Sequence, residues 1–107
     1  MDTYQHTSLL LDKLEQALIA HDLWQSTSPT KEALASVEPF AVDTLSCTEW
    51  LQWIFIPKMR HLVEMKMALP MGFSIAPYVE EALKETVGQQ SVLAVVLELD
   101  NLSKGVQ

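Results

Sequence analysis

The residues that could do chemistry are few, and they lie far apart along the chain. Cys47 is the single cysteine, and His6, His21 and His61 lack the spacing of paired zinc ligands. His61 and Glu64 are three residues apart on a predicted helix, which resembles one fragment of a carboxylate-histidine diiron site. That site needs further carboxylates that point inward from partner helices, and the other predicted helices carry their acids on the polar side. The sequence therefore predicts no metal ion and no cofactor.

Nucleophilic and acid-base catalysis find no better support. Cys47 would need an activating base and an electropositive setting, whereas the acidic Glu49 lies nearby. Glu80 and Glu81 point to water on a predicted helix, while paired catalytic carboxylates need a pocket and different environments. The three glycines are isolated, so the chain has no glycine-rich phosphate loop. We predict no catalytic residue and expect that the protein is not an enzyme.

Composition and charge narrow the class of protein. With 107 residues, 49% of them hydrophobic, residues 1–107 are expected to form a single domain around one core. Fourteen acidic residues against seven basic ones give a net charge of −7, which repels nucleic-acid phosphates and disfavours direct nucleic-acid binding. The single cysteine, the lack of a signal-like N-terminus and apolar runs far shorter than the ~18–20 residues of a membrane span favour a cytoplasmic protein.

The apolar positions predict four helices that would position these side chains. They cover residues 7–23, 46–67, 77–88 and 91–103. Ser46 and Glu49 have the spacing of a capping box, and Gly88 is a typical C-terminal stop. The last segment has valines that favour a strand locally, but its steps of three and four residues favour a helix. We predict an all-α, up-down-like four-helix bundle with a long ordered connection between helices one and two.

The second predicted helix contains the densest apolar stretch, Glu49 to Met59. From Trp50 to Ile56 it is apolar almost all round, and Gln52 is the one polar exception. Pro57 has no N–H to donate and clashes with the preceding turn, so we expect a kink there. A proline in mid-helix costs about 3 kcal/mol relative to alanine, which packing of the apolar half must offset.

This stretch also carries the best signal for a binding surface. Tryptophan is strongly enriched at binding hot spots, and the methionines at 59, 65, 67 and 71 could adapt to irregular contacts. We predict a partner-binding surface around Trp50, Trp53 and Met59, with Lys58 and Arg60 at its rim. The alternative is an ordinary core in which the methionines fill gaps. Exposure of the two indoles decides between these interpretations.

Several short motifs in the chain are shared with a known family. They are Pro39-Phe40, Asp43-Thr44, Glu49-Trp50-Leu51-Gln52-Trp53, Ile56-Pro57-Lys58-Met59, Leu69-Pro70, Ala76-Pro77-Tyr78 and Ala82-Leu83. On these residues the chain resembles the YqcC-like family of small bacterial proteins. The resemblance covers most of the chain and is densest from Pro39 to Leu83.

The resemblance implies an all-helical bundle and carries no catalytic or ligand-binding residue onto positions of this sequence. Genes of the family often lie beside the gene for tRNA pseudouridine synthase C, which implies an association with tRNA pseudouridine synthesis. The chain itself is too short for that synthase and lacks the strands and the catalytic-aspartate motif of the enzyme class.

These observations predict an accessory protein that docks on a protein partner, such as tRNA pseudouridine synthase C. One alternative is a small-molecule binding module with its pocket between the helices near Pro57. Another is contact with tRNA inside a complex, through Lys58, Arg60 and Lys66. A homo-oligomer is compatible with the sequence as well.

Overall fold

The computed structural model describes residues 2–105, and every regular element within them is helical. The elements are α1 (Thr3–Ala20), α2 (Lys31–Leu34), a 3₁₀ turn (Pro39–Ala41), α3 (Cys47–Trp50), a π-helical segment (Leu51–Phe55), α4 (Ile56–Glu64), α5 (Ala76–Ala82) and α6 (Gln89–Ser103). The prediction of an all-α fold is confirmed for this part of the chain. Helix formation in the last segment is confirmed too, since its helical spacing prevails over the strand preference of its valines.

The core forms where α1 packs against both α4 and α6, and α6 packs in turn against α5. Its fully buried side chains are leucines and valines from α1, α5, α6 and the π-helical segment: Leu10, Leu11, Leu14, Leu18, Leu51, Val79, Val92, Val96 and Leu99. Burying each contributes roughly 1.5–3 kcal/mol. The up-down order of a four-helix bundle stays a prediction. Within residues 2–105 no helix combines the length and the apolar character that crossing a bilayer demands.

The first helix begins earlier than its apolar pattern indicates, at Thr3 instead of residue 7, and it ends at Ala20. A capping box at its start explains the difference. The Asp2 carboxylate accepts a hydrogen bond from the Gln5 N–H at 2.7 Å, and the Gln5 side chain accepts one from the Asp2 N–H at 3.3 Å. The predicted capping box of Ser46 and Glu49 is confirmed at the start of α3.

Helices α3 and α4 are joined by the π-helical segment without a break, and together the three form one rod, residues 47–64, which we call the central helix. The Ile56 N–H donates to the Leu51 carbonyl, five residues earlier, so the turn directly before Pro57 is widened. Such widening relieves the clash between a proline ring and the preceding turn. The kink expected at Pro57 stays a prediction.

Residues 65–75 connect α4 to α5, and we call this connection the strap. The Tyr4 hydroxyl donates to the carbonyls of Lys66 and Met67 at 3.2 and 2.9 Å, and the Gly72 N–H donates to the Ser103 carbonyl at 2.8 Å. At the far end the buried Asp100 carboxylate accepts the N–H groups of residues 75 and 76, between 2.8 and 3.0 Å. The strap is therefore fixed against α1 and α6.

Candidate partner-binding site

The polar residues of the Glu49-to-Trp53 string hold the long connection onto the central helix. Gln52, only 4% exposed, accepts from the Gln25 N–H and donates to the Gln25 carbonyl, each at 2.7 Å. The Trp53 indole donates to the Gln25 side chain at 3.2 Å, and that side chain donates to Glu49 at 3.3 Å. The Ser46 N–H donates to Glu49 and lowers the pKa of its carboxyl. Much of this motif is thus explained by intramolecular contacts.

Trp50 belongs to a different set of contacts, a cluster of aromatic rings around the start of the central helix. Its ring centroid lies 5.0 Å from that of Phe40, edge-on, and 5.4 Å from that of Phe55, which it stacks against. Phe40 also stacks on Tyr78 at 4.5 Å, and Phe55 meets Phe73 edge-on at 6.0 Å. Phe40 adopts a φ of 57°, a left-handed conformation that costs a bulky residue about 1–3 kcal/mol.

An open cleft of about 320 Å³ lies beside this cluster, and we call it the Trp50 cleft. Its walls are mostly large apolar side chains: Phe40, Trp50, Ile54, Phe55, Phe73 and Ile75. Trp50 and Ile54 are half-buried, so part of each side chain is available to a partner. Lys58 is exposed at the edge of the cleft and is the one charged residue among those that line it.

A second cleft of about 380 Å³ lies on the other side of the strap, and we call it the methionine cleft. Tyr4, Leu69, Met71, Leu99 and Leu102 contribute to its walls, and none of its lining residues is charged. Met59, Pro70 and Phe73 line both clefts, so the two adjoin.

The structure divides the five residues that we predicted to form one surface. Trp50 and Lys58 line the Trp50 cleft, and Met59, which is 3% exposed, lies at the floor of both clefts. Trp53 is turned toward the long connection instead, where it binds Gln25.

Arg60, the fifth predicted residue, points away from the Trp50 cleft and joins α4 to α1. Its guanidinium pairs with Asp12 at 2.9 Å and with Glu15 at 3.4 Å. The structure adds Phe40 and Phe73 to the site. Phe40 belongs to the shared Pro39-Phe40 motif, but nothing in the sequence related it to Trp50.

Cys47 and Tyr78 lie together, and both are removed from water to some degree. Cys47 is buried, which raises the pKa of its thiol to about 11 despite a hydrogen bond with Tyr78, so the thiol stays protonated near neutral pH. Burial raises the pKa of Tyr78 as well. Residues 2–105 contain no group of three or more His, Cys, Asp or Glu side chains that could hold a metal ion. The absence of a cofactor and of catalysis stays a prediction.

Known proteins resemble this chain over most of its length. Residues 6–102 match the model of the family DUF446, described as tRNA pseudouridine synthase C. An uncharacterized protein of Haemophilus influenzae is 44% identical over 100 residues, which are 94% of this chain and 91% of that protein. The protein YqcC of Escherichia coli K12 is 38% identical over 98 residues, 92% of this chain and 90% of YqcC.

Two further similarities concern structure and a longer protein. The solution NMR structure of YqcC from E. coli superposes with a TM-score of 0.83 at 38% identity, covering 95% of this chain and 88% of that one. The tRNA pseudouridine synthase C of Pectobacterium carotovorum subsp. carotovorum is 46% identical over 60 residues, which are 56% of this chain and 16% of that protein.

Proposed function

The chain belongs to the YqcC-like family, and from this premise we propose that it is a non-enzymatic accessory protein of the cytoplasm that binds a tRNA-modifying enzyme. The partner that we propose is tRNA pseudouridine synthase C. The observation that carries the proposal is the 60-residue segment of the Pectobacterium synthase that is 46% identical to this chain. Linkage in one polypeptide holds two sequences at high effective concentration, and separate counterparts would need a binding surface to reach the same proximity.

The Trp50 cleft supplies the contact surface for this proposal. A partner side chain that enters the cleft would be buried against aromatic rings, contributing roughly 1.5–3 kcal/mol. Association itself costs an estimated 4–15 kcal/mol, so one anchor is too few and neighbouring contacts along the strap must contribute. Trp50 is of the residue type that most often dominates such interfaces.

The proposal is tested by measuring the affinity of the chain for the purified synthase C of the same organism by isothermal titration calorimetry. We expect a dissociation constant in the micromolar range or tighter, about −8 kcal/mol. Ile54→Asp places a charge in the Trp50 cleft and should weaken binding about tenfold or more. Val87→Asp alters a side chain that is 82% exposed and lies outside both clefts, so it should leave the affinity unchanged. No detectable complex at concentrations of about 100 μM would refute the proposal.

A small-molecule binding module is the second candidate, because the Trp50 cleft includes Ile54, Phe55 and Lys58, close to Pro57. Its volume of about 320 Å³ lies at the lower end of the range of ligand pockets, about 300–1,000 Å³. A thermal-shift screen with metabolites separates the two functions. Stabilisation by a compound, without binding to the synthase, would reverse their order.

Contact with tRNA through Lys58, Arg60 and Lys66 receives less support, because the Arg60 guanidinium is already paired with Asp12 and Glu15. Charge reversal at these three cations is the test. If the RNA affinity of the complex does not change, tRNA contact at this face is eliminated.

A further inference from the structure

The charge around the two clefts differs from the charge of the rest of the molecule. The chain has fourteen acidic residues and a net charge of −7, yet no acidic side chain of residues 2–105 lines either cleft. Lys58 is the one charged residue that lines the Trp50 cleft. Beside the methionine cleft, the Lys66 ammonium lies 4.8 Å from the ring centroid of Tyr4, which lines that cleft. Lys66 itself lines a separate depression that also includes Asp12. Both clefts therefore have an apolar interior, and the charge at the edge of the Trp50 cleft is positive.

The strap between the clefts exposes flexible apolar side chains. Met65, Met67 and Met71 are 59%, 48% and 79% exposed, and all three lie within the strap. Methionine side chains are unbranched and adjust to irregular contacts, which is why they recur at surfaces that bind helices of other proteins. A segment lying across the strap would reach both clefts, since they share Met59, Pro70 and Phe73.

We propose that the two clefts together bind an amphipathic helix of a protein partner whose apolar anchors are flanked by Asp or Glu side chains. A helix fits better than an extended segment, because residues 2–105 contain no strand whose edge could pair with a partner strand. A helix satisfies its own backbone and presents side chains at steps of three, four and seven residues. The inference rests on the proposed function in that it takes a protein as the occupant.

Charge complementarity selects an acidic helix over a basic one. A carboxylate beside an anchor would meet Lys58 at the edge of the Trp50 cleft, whereas the acidic remainder of the surface would repel it. A basic helix would instead be repelled at the clefts and attracted elsewhere. Complementary charges of this kind fix the position and orientation of a partner more than they raise its affinity.

The test uses designed amphipathic helical peptides with Leu and Phe anchors, made in three versions that differ only in their flanking residues: Glu, Gln or Lys. Tryptophan fluorescence reports binding, and amide chemical shifts locate it. The Glu version should bind at least about tenfold tighter than the Lys version, with the Gln version between them. The shifts should map to residues that line the two clefts.

Reversal of one charge on the protein provides the control. Lys58→Glu should weaken binding of the Glu version about tenfold and should strengthen binding of the Lys version. Lys31→Glu changes an exposed lysine of α2 that lines neither cleft, so the Glu version should still bind tightest and the Lys version weakest. Circular dichroism and thermal unfolding check that both variants are folded.

The outcomes for this inference and for the proposed function are separate. If no peptide binds, or if the Lys version binds best to the unmodified protein, the acidic-helix inference is overturned. The calorimetric affinity for the synthase decides the proposed function independently. The inference alone is overturned if the synthase binds the unmodified protein and Lys58→Glu changes neither the affinity for the synthase nor the order of the three peptide affinities.

Discussion

Replacement of Gln52 by leucine tests how the long connection is held. Leucine keeps about the same volume but can neither accept from the Gln25 N–H nor donate to the Gln25 carbonyl. Both backbone groups are partly buried, so they lose their partners without gaining full access to water. The central helix itself should survive, because the Gln52 side chain does not contribute to its backbone hydrogen bonds.

The expected loss follows from the two groups left unpaired. Each buried, unsatisfied polar group costs about 1–3 kcal/mol, and partial access to water places each near the lower end. The extra apolar surface of leucine offsets part of the loss, so the net decrease in the free energy of unfolding should be about 1.5 kcal/mol. For a domain of this size, that lowers the melting temperature by roughly 5–10 °C.

Urea unfolding followed by circular dichroism measures this decrease. The matched control is Gln16→Leu, the same replacement at an exposed position of α1, which should change the free energy of unfolding by less than about 0.5 kcal/mol. If Gln52→Leu is as mild as the control, the bonds between Gln52 and Gln25 do not hold the connection and this reasoning is wrong.

Three further predictions concern other parts of the fold. Asp100→Ala removes the buried carboxylate that accepts two N–H groups at the start of α5, so the free energy of unfolding should decrease by about 3 kcal/mol. The control Asn101→Ala, at an exposed position, should change it negligibly. Gly88→Ala introduces a Cβ at a φ of +94° that collides with both the Cβ and the ring of His21, and it should cost about 2 kcal/mol. His21→Ala in the same chain keeps its Cβ and should restore little of this loss, whereas His21→Gly removes the obstacle and should restore more; equal losses in all three backgrounds would contradict the collision. Burial raises the pKa of the Cys47 thiol from 9.0 to about 11, so the thiol ionises at lower pH in the unfolded chain than in the folded one. The free energy of unfolding should therefore fall as the pH rises from about 9 to 11, and it should fall less steeply with pH in Cys47→Ala. Alkylation at pH 8 should also be roughly 100-fold slower in the native protein than in urea, and equal rates would contradict burial of the thiol.

Local signals were sufficient to predict where several helices lie. The capping box of Ser46 and Glu49 needs only residues three apart, and it is present as expected. The steps of three and four residues in the last segment were likewise enough to predict α6. The start of α1 was missed because Asp2 and Gln5 are polar and add nothing to an apolar pattern.

Contacts between distant residues were beyond the reach of the sequence. Gln52 stood out as a polar residue in an apolar stretch, but its partner Gln25 is 27 residues away. The separation of the two tryptophans depends on the π-helical segment, in which each residue turns through a smaller angle than in an α-helix. A helical wheel drawn with α-helical spacing therefore places Trp50 and Trp53 on one face, whereas the structure gives them different partners.

The candidate site was predicted in part for the same reason. Lys58 and Trp50 line one cleft, since they lie close in sequence on one helix, but their role in binding a partner stays a prediction. Arg60 lies on the same helix, but two acids of α1 determine its position, and pairing between helices leaves no local signal. The first residues of the strap were predicted as the end of the second helix, which stops at Glu64 instead of residue 67, and the strap showed in the sequence only through its methionines.

The most direct test of a partner-binding site at the two clefts is to titrate the isotope-labelled chain with unlabelled tRNA pseudouridine synthase C and record amide spectra. We predict that the amides of Ile54, Lys58 and Met71 lose intensity or shift first, since Ile54 and Lys58 line the Trp50 cleft and Met71 lines the methionine cleft. Changes confined to the backbone amides of the acidic residues of α5 and α6, or no change at an excess of the synthase, would contradict a partner-binding site at the clefts.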